Sequence, residues 1–520
     1  MADHSHALTF TLDGRAVEVA DDGASLLEVL RDRLGVRSAK DGCSPQGQCG
    51  CCTVLVDGAP RVACVTPARR IAGRSVTTVD GLPDASEWAD AFCATGASQC
   101  GFCTPGIVVR LSALRAAGAT ADDIPKVERA LLAHLCRCTG WRTILDAWQA
   151  SFFVDLGGTC PPRSTKNAEE RAAIEGGVPQ RVGPEVALGR GGFADDTAPA
   201  DALVAVPDGN GGWSVADTLQ DARRRAGKVQ GRRTTVDARP PLDLPEGDWM
   251  RTLRTSWVEP AYLETDASWC APNGEPATPL ANGGAFGGKH ASVVARAARE
   301  LADEHGCAVR VLLSREDTVR MGPKRPPVAA GIRADGTGVV RVVRTDGIAD
   351  AIRAHAPDLV VDEVDLPGPP TSAAVRGAGW VEAALLLAGL SGSTTVTAPS
   401  GATASATIGS DGTVRVRVRC GAPLDDVVLR SYCVGAAHMA LGWVTSEAIA
   451  VDEVGIAHDL TVRSFGVLRA VDTPAIEVEI EPDDGPPVNG SDAVFAAVAA
   501  AAWIAQGCPQ DLPTGVSIRR

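Results

Sequence analysis

At 520 residues the chain is too long for one hydrophobic core, so several domains are expected. A formal net charge of −14 disfavours nucleic acid or an anionic membrane surface as the main partner. With 45% hydrophobic and 22% charged residues the composition is that of ordinary globular protein, and no apolar run is expected to reach a membrane span.

Met1-Ala-Asp-His-Ser-His lacks the basic and apolar regions of a signal peptide. The sixteen cysteines therefore point to metal ligation in a reducing, cytoplasmic compartment rather than to disulfides. In chain order, Leu8–Leu12 and Ala16–Ala20 alternate around the turn signal Asp13-Gly14, predicting a hairpin. Ser25-Leu-Leu-Glu28 opens a short helix that Gly35 ends, and Thr53–Val56 with Asp57-Gly58 predicts another hairpin arm. Between them Gly42-Cys43-Ser-Pro-Gln-Gly-Gln-Cys49-Gly-Cys-Cys52 is a Gly-rich loop, with Cys64 after the next strand. This nearly reproduces the plant-type ferredoxin spacing, as C-x₅-C-x₂-C instead of C-x₄-C-x₂-C. Cys51 leaves the third position ambiguous, and Cys52 is chosen because it preserves C-x₂-C. A structural zinc site or buried free thiols are the alternatives.

A second group follows in Gln99-Cys100-Gly-Phe-Cys103-Thr-Pro-Gly106 and Leu135-Cys136-Arg-Cys138-Thr-Gly-Trp141. Four thiolates in C-x-x-C and C-x-C suit a tetrahedral S₄ site, zinc or an iron–sulfur cluster. Thr104 is expected as N-cap with Pro105 at the first helical position, and Ile107, Val108, Leu111 and Leu114 mark the buried face up to Gly118. A second helix is expected to begin at Thr120 to Asp123 and to carry Val127, Leu131 and Leu135 toward Cys136. His134 is read as a packing or hydrogen-bonding residue beside four available cysteines.

Together these motifs resemble the iron–sulfur subunit of the molybdenum hydroxylases, the xanthine dehydrogenase and carbon monoxide dehydrogenase family, over residues 8 to about 150. The resemblance implies an α+β multidomain chain: a β-grasp plant-type ferredoxin domain (1–80), then an all-α four-helix [2Fe–2S] domain (81–160). It implies two [2Fe–2S] clusters, one on Cys43, Cys49, Cys52 and Cys64 nearer a flavin. The other is held by Cys100, Cys103, Cys136 and Cys138 nearer a molybdenum cofactor, with Gln99 and Cys138 against the pterin.

Residues 161–189 read as a linker and 190–520 as an α/β region. Asn282-Gly-Gly-Ala-Phe-Gly-Gly-Lys289 satisfies a phosphate-loop spacing, but His290 stands where Ser or Thr is required. It looks instead like a loop of the family's molybdopterin-binding large subunit, in which Phe286 would approach metal and pterin. Ala374-Val-Arg376-Gly-Ala-Gly-Trp-Val-Glu382 is similar to a segment whose Arg helps position substrate. The family's general-base Glu falls on Ser491, beside Asp492, and Ser cannot take a proton near neutral pH without a base of its own. A shortened, degenerate molybdopterin-binding region is therefore expected. The resemblance implies a heteromeric complex with a molybdopterin-binding large subunit and an FAD-binding medium subunit. The alternatives are a self-contained hydroxylase and a stand-alone redox carrier or redox-responsive binding protein. Cys51, Cys93, Cys160, Cys270, Cys307, Cys420, Cys433 and Cys508 form no ligand-spaced set and read as mostly buried thiols.

Overall fold

The computed structural model describes residues 7–153, 164–227, 236–278, 284–290 and 292–518. Cys160, Asn282 and Gly283 lie outside the described residues.

Strands Ala7–Leu12 and Arg15–Ala20 pair antiparallel through the Asp13-Gly14 turn, and Thr53–Val56 pairs with Ala59–Val62. Ser75–Thr77 lies between the two hairpins, parallel to the first strand and antiparallel to the third, which completes a five-stranded β-grasp sheet. Leu8, Phe10 and Leu12 alternate inward, against Leu26, Leu27 and Leu30 of the helical segment that Ser25 caps. The helix bundle follows as Ala85–Thr95, Thr104–Ala116, Ile124–Ala130 and Arg142–Ala150. Two details differ from expectation. Cys103 is the N-cap of the second helix, and the Thr104 hydroxyl bonds Ser98 Oγ at 3.2 Å instead. The third helix gives way to a 3₁₀ turn at Leu131–Ala133, which leaves His134 and Leu135 extended ahead of Cys136.

Beyond residue 190 three sheets carry helices. Leu203–Pro207, Trp213–Ala216, Ala267–Cys270 and Val309–Leu312 form the first. Arg251–Thr255, Val328–Ile332, Gly338–Val343, Leu359–Val364 and Asp511–Leu512 form the second. Thr395–Thr397, Thr403–Ile408, Val414–Arg419 and Ile476–Ile480 form the third. Helices Trp380–Ser391, Asp426–Thr445 and Ser491–Ala505 fill the core between the last two sheets. The mixed α/β character inferred for this region is what the structure has.

Two expectations fail here. Among the described residues Asp426–Thr445 is a 20-residue helix apolar enough by length and composition to cross a membrane. Its most apolar window is 89% buried inside the protein, as in a core helix. The supposed linker contains helix Thr165–Gly176, capped by Ser164 and stopped by Gly177 in the left-handed region. Its polar composition suggested solvent, but Arg171 and Glu175 are both fully buried and paired at 3.0 Å.

The C-terminal half is bolted to both amino-terminal domains by buried charge. Arg31 bonds Asp195 at 2.6 Å and Asp196 at 2.9 Å, Lys40 pairs with Asp196, and Arg310 reaches Asp32 at 3.0 Å and Asp195 at 3.1 Å. Arg137 grips Glu447 through two bonds of 2.6 and 2.7 Å, with both side chains at most 4% exposed.

Removing one partner of such a pair strands the other in low dielectric, so Glu447→Ala is expected to cost about 3–5 kcal/mol in denaturant unfolding. Burial would push the Asp195 carboxyl up, but Arg310 and Arg31 outweigh it and hold it well below the usual carboxylate range. A carboxyl depressed in the folded state contributes stability above its unfolded pKa of about 4 and loses it as pH falls through the folded value. Urea midpoints are therefore expected to drop as pH goes below about 4, and Asp195→Asn is expected to flatten that dependence.

Candidate metal centre

All eight cysteines singled out by spacing are buried, none more than 6% exposed. In the second group the chain turns back at two places. The helix that starts at Thr104 presents Cys100 and Cys103 from its amino end, where the dipole favours thiolate. The segment after the 3₁₀ turn presents Cys136 and Cys138 opposite them. The thiols meet in pairs: Cys100 Sγ lies 3.8 Å from Cys138 Sγ, and the Cys103 thiol neighbours that of Cys136. The bond from Cys103, with help from Thr139, lowers Cys136 to about 6 although burial opposes it.

In the first group the free Cys43 thiol neighbours those of Cys49 and Cys64, and Cys64 neighbours Cys52. Those two thiols, together with the Gln48 and Gln46 N–H groups, hold Cys43 well below the usual thiol range, with Gln46 N at 3.2 Å. Cys64 N–H donates to Cys52 Sγ at 3.4 Å. Cys51 is bonded to Cys49 on the same loop.

Among the described residues no three His, Cys, Asp or Glu side chains gather round a single ion position. Paired thiols with backbone donors aimed at sulfur fit a two-iron cluster, in which the donors divide between two metals. Both groups fit a [2Fe–2S] cluster on that chemistry.

The two groups are wired together by the backbone. Leu135 N–H donates to Cys49 C=O at 3.0 Å, so one hydrogen bond joins a cysteine of the first group to the residue before Cys136. A Cβ on Gly106 would lie 2.3 Å from Gly50 O, so only glycine lets the helix start sit against that loop. His134 is wedged there, with Nε2 3.2 Å from Thr53 Oγ1, and burial pushes it down to about 3, where it is neutral.

Sequence reasoning did not find what roofs these loops. Gln46 Nε2 donates to Leu460 O at 2.9 Å and Glu316 Oε1 at 3.0 Å, and Arg463 Nε donates to Gln48 O at 3.0 Å. Arg315 Nη2 reaches Gly42 O at 2.7 Å. These partners lie some hundreds of residues away and carry no local motif.

The residues assigned to the pterin are brought together, but against protein. Gln99 Nε2 donates to Cys138 O at 2.9 Å and to Ser431 Oγ at 3.0 Å on helix Asp426–Thr445. A Cβ on Gly435 of that helix would stand 1.7 Å from Cys138 O. Phe286 and Arg376 both take left-handed backbone, φ 40° and 43°, and Arg376 N–H donates to Phe286 O at 3.0 Å. The Arg376 guanidinium lies 4.1 Å over the Phe286 ring and pairs with Asp492 at 3.1 Å. Gln99 Oε1 and Arg376 Nε and Nη2 are buried without partners, but the void beside Gln99 is only about 20 Å³. Sites for small organic ligands run to roughly 300–1,000 Å³. Among the described residues, the space beside Gln99 does not fit a pterin.

Known proteins agree with the cysteine pattern. Residues 10–73 match the family described as 2Fe-2S iron-sulfur cluster binding domain, and residues 78–149 the [2Fe-2S] binding domain. The xanthine dehydrogenase iron-sulfur-binding subunit of Escherichia coli O157:H7 is 36% identical over 150 residues, 93% of its length and 28% of this chain. Xanthine dehydrogenase/oxidase of Mus musculus is 34% identical over 168 residues, and the chain spans 12% of its length. The aldehyde oxidoreductase from Desulfovibrio desulfuricans ATCC 27774 superposes with a TM-score of 0.69 over 95% of this chain and 97% of that one. At 13% identity that likeness speaks for the fold alone. With two [2Fe–2S] domains in its first 150 residues and a xanthine dehydrogenase iron–sulfur subunit as a full-length relative of them, the chain belongs to the molybdenum hydroxylase family of oxidoreductases.

Proposed function

We propose that the chain is the iron–sulfur electron-transfer component of a multi-subunit molybdenum hydroxylase. It would work between a molybdopterin-binding large subunit and an FAD-binding medium subunit, with the C-terminal half serving assembly. Cys43, Cys49, Cys52 and Cys64 would hold one [2Fe–2S] cluster and Cys100, Cys103, Cys136 and Cys138 the other. Each cluster, when bound, supplies one-electron storage. The chain's own residues keep the thiols dry, aim N–H donors at sulfur and hold the two groups in register. The bond from Leu135 N–H to Cys49 C=O carries this reading, because it makes a short covalent and hydrogen-bonded route between ligand residues of the two groups.

The deciding measurement is metal content of the purified chain, with EPR after anaerobic reduction. About four irons per chain and two distinct [2Fe–2S] signals are expected, whereas stoichiometric zinc without iron would sink the proposal. Cys136→Ser is expected to abolish one signal and about half the iron while leaving the other signal intact. Loss of both signals together would mean that the groups are not separate sites.

A further inference from the structure

Three segments of the C-terminal half lie together: Cys420–Leu424, Val488–Ser491 and the Phe286–Arg376 contact, with Val488 N–H donating to Cys420 O at 3.0 Å and Arg376 Nη1 to Ser491 Oγ at 3.4 Å. In a cofactor-binding site such loops would present free backbone groups to a ligand. Here the helix from the supposed linker uses them up. Arg171 Nε donates to Pro423 O at 2.9 Å, Nη1 to Val488 O at 3.0 Å, and Nη2 to Ala422 O. Glu175 accepts from Ser491 N–H at 2.8 Å and from Gly490 N–H at 3.1 Å. Asn489 Nδ2 donates to Glu175 O at 3.0 Å.

An internal carboxylate thus sits on the amino end of helix Ser491–Ala505, where the dipole and the first N–H groups would otherwise receive an anion from a ligand. Its countercharge, Arg171, is bonded to it at 3.0 Å and comes from the same helix. On the other side Gly435 packs against Cys138 O and Arg376 stacks on Phe286, and the void beside Gln99 and Ser431 is about 20 Å³. A larger cavity of about 450 Å³ beside Leu135 is lined by none of Gln99, Cys138, Phe286 or Arg376.

We infer that this chain closes its own pterin position: helix Thr165–Gly176, through Arg171 and Glu175, saturates the loops that would hold the cofactor. Residues 190–518 then act as a cofactor-free clamp on the two cluster domains. A molybdenum-bearing partner consequently meets the chain at some face other than Gln99 and Cys138.

The test uses the full-length chain produced in cells that supply molybdenum cofactor. Iron and molybdenum are measured together, and pterin is measured after oxidative release. The iron complement is expected with essentially no molybdenum or pterin; pterin approaching one per chain overturns the inference. Because iron and EPR are read on the same sample, failure here is distinguishable from failure of the electron-transfer reading. Hydrogen exchange tests the helix directly. Glu175→Gln weakens a charge-assisted acceptor, so amide exchange at Gly490 and Ser491 is expected to rise at least ~10-fold with both cluster signals retained. Unchanged exchange would show that Glu175 does not hold that helix end.

Discussion

The loop from Leu135 to Gly140 is held backbone to backbone on two sides, and the rest of the structure is arranged to make that possible. On one side Leu135 N–H is bonded to Cys49 C=O. On the other, Cys138 C=O lies against Gly435, and a Cβ on Gly140 would stand 2.7 Å from Val434 O. Close approach of this kind needs glycine, because any side chain would hold the chains apart by its own radius. The gain is a dry, rigid frame for four thiols, with little backbone freedom left to lose when metal binds.

The C-terminal half supplies partners for that frame. A cluster loop lined by small residues has little apolar surface of its own to bury. Gln46, Gly42 and Gln48 are therefore satisfied from outside by Glu316, Arg315, Arg463 and the backbone at Leu460. The Arg137–Glu447 pair does the same for the second loop, anchoring the residue between Cys136 and Cys138. A buried pair of this sort adds less stability than its Coulomb energy suggests, but it penalises every arrangement that separates the partners. It therefore specifies how the halves dock.

The segments that resemble the family's cofactor loops are packed against one another here. Phe286 and Arg376 keep the strained left-handed backbone and the mutual contact that their loops impose. Glu175 accepts from the Gly490 and Ser491 N–H groups at the amino end of helix Ser491–Ala505. Asp492 is neutralised by Arg376. Helix Thr165–Gly176 packs over these loops through Arg171 and Glu175.

By itself the sequence determined the β-grasp and helical domains and the two cysteine groups. Each rests on short-range chemistry: alternation, glycine turns and thiols a few residues apart. The helix at Thr165–Gly176 was also legible, from Ser164, Gly177 and the i, i+4 pair Arg171 and Glu175. Its polar surface was misread because burial of a charged pair depends on partners that sequence does not show. Only the tertiary structure decided that Gln99 faces Ser431, that Leu135 bridges the two cysteine groups and that Arg171 and Glu175 pack against the Ala422–Pro423 and Val488–Ser491 loops. Those are contacts between backbone groups and small residues far apart in the chain, and such contacts leave no periodicity and no spacing to read.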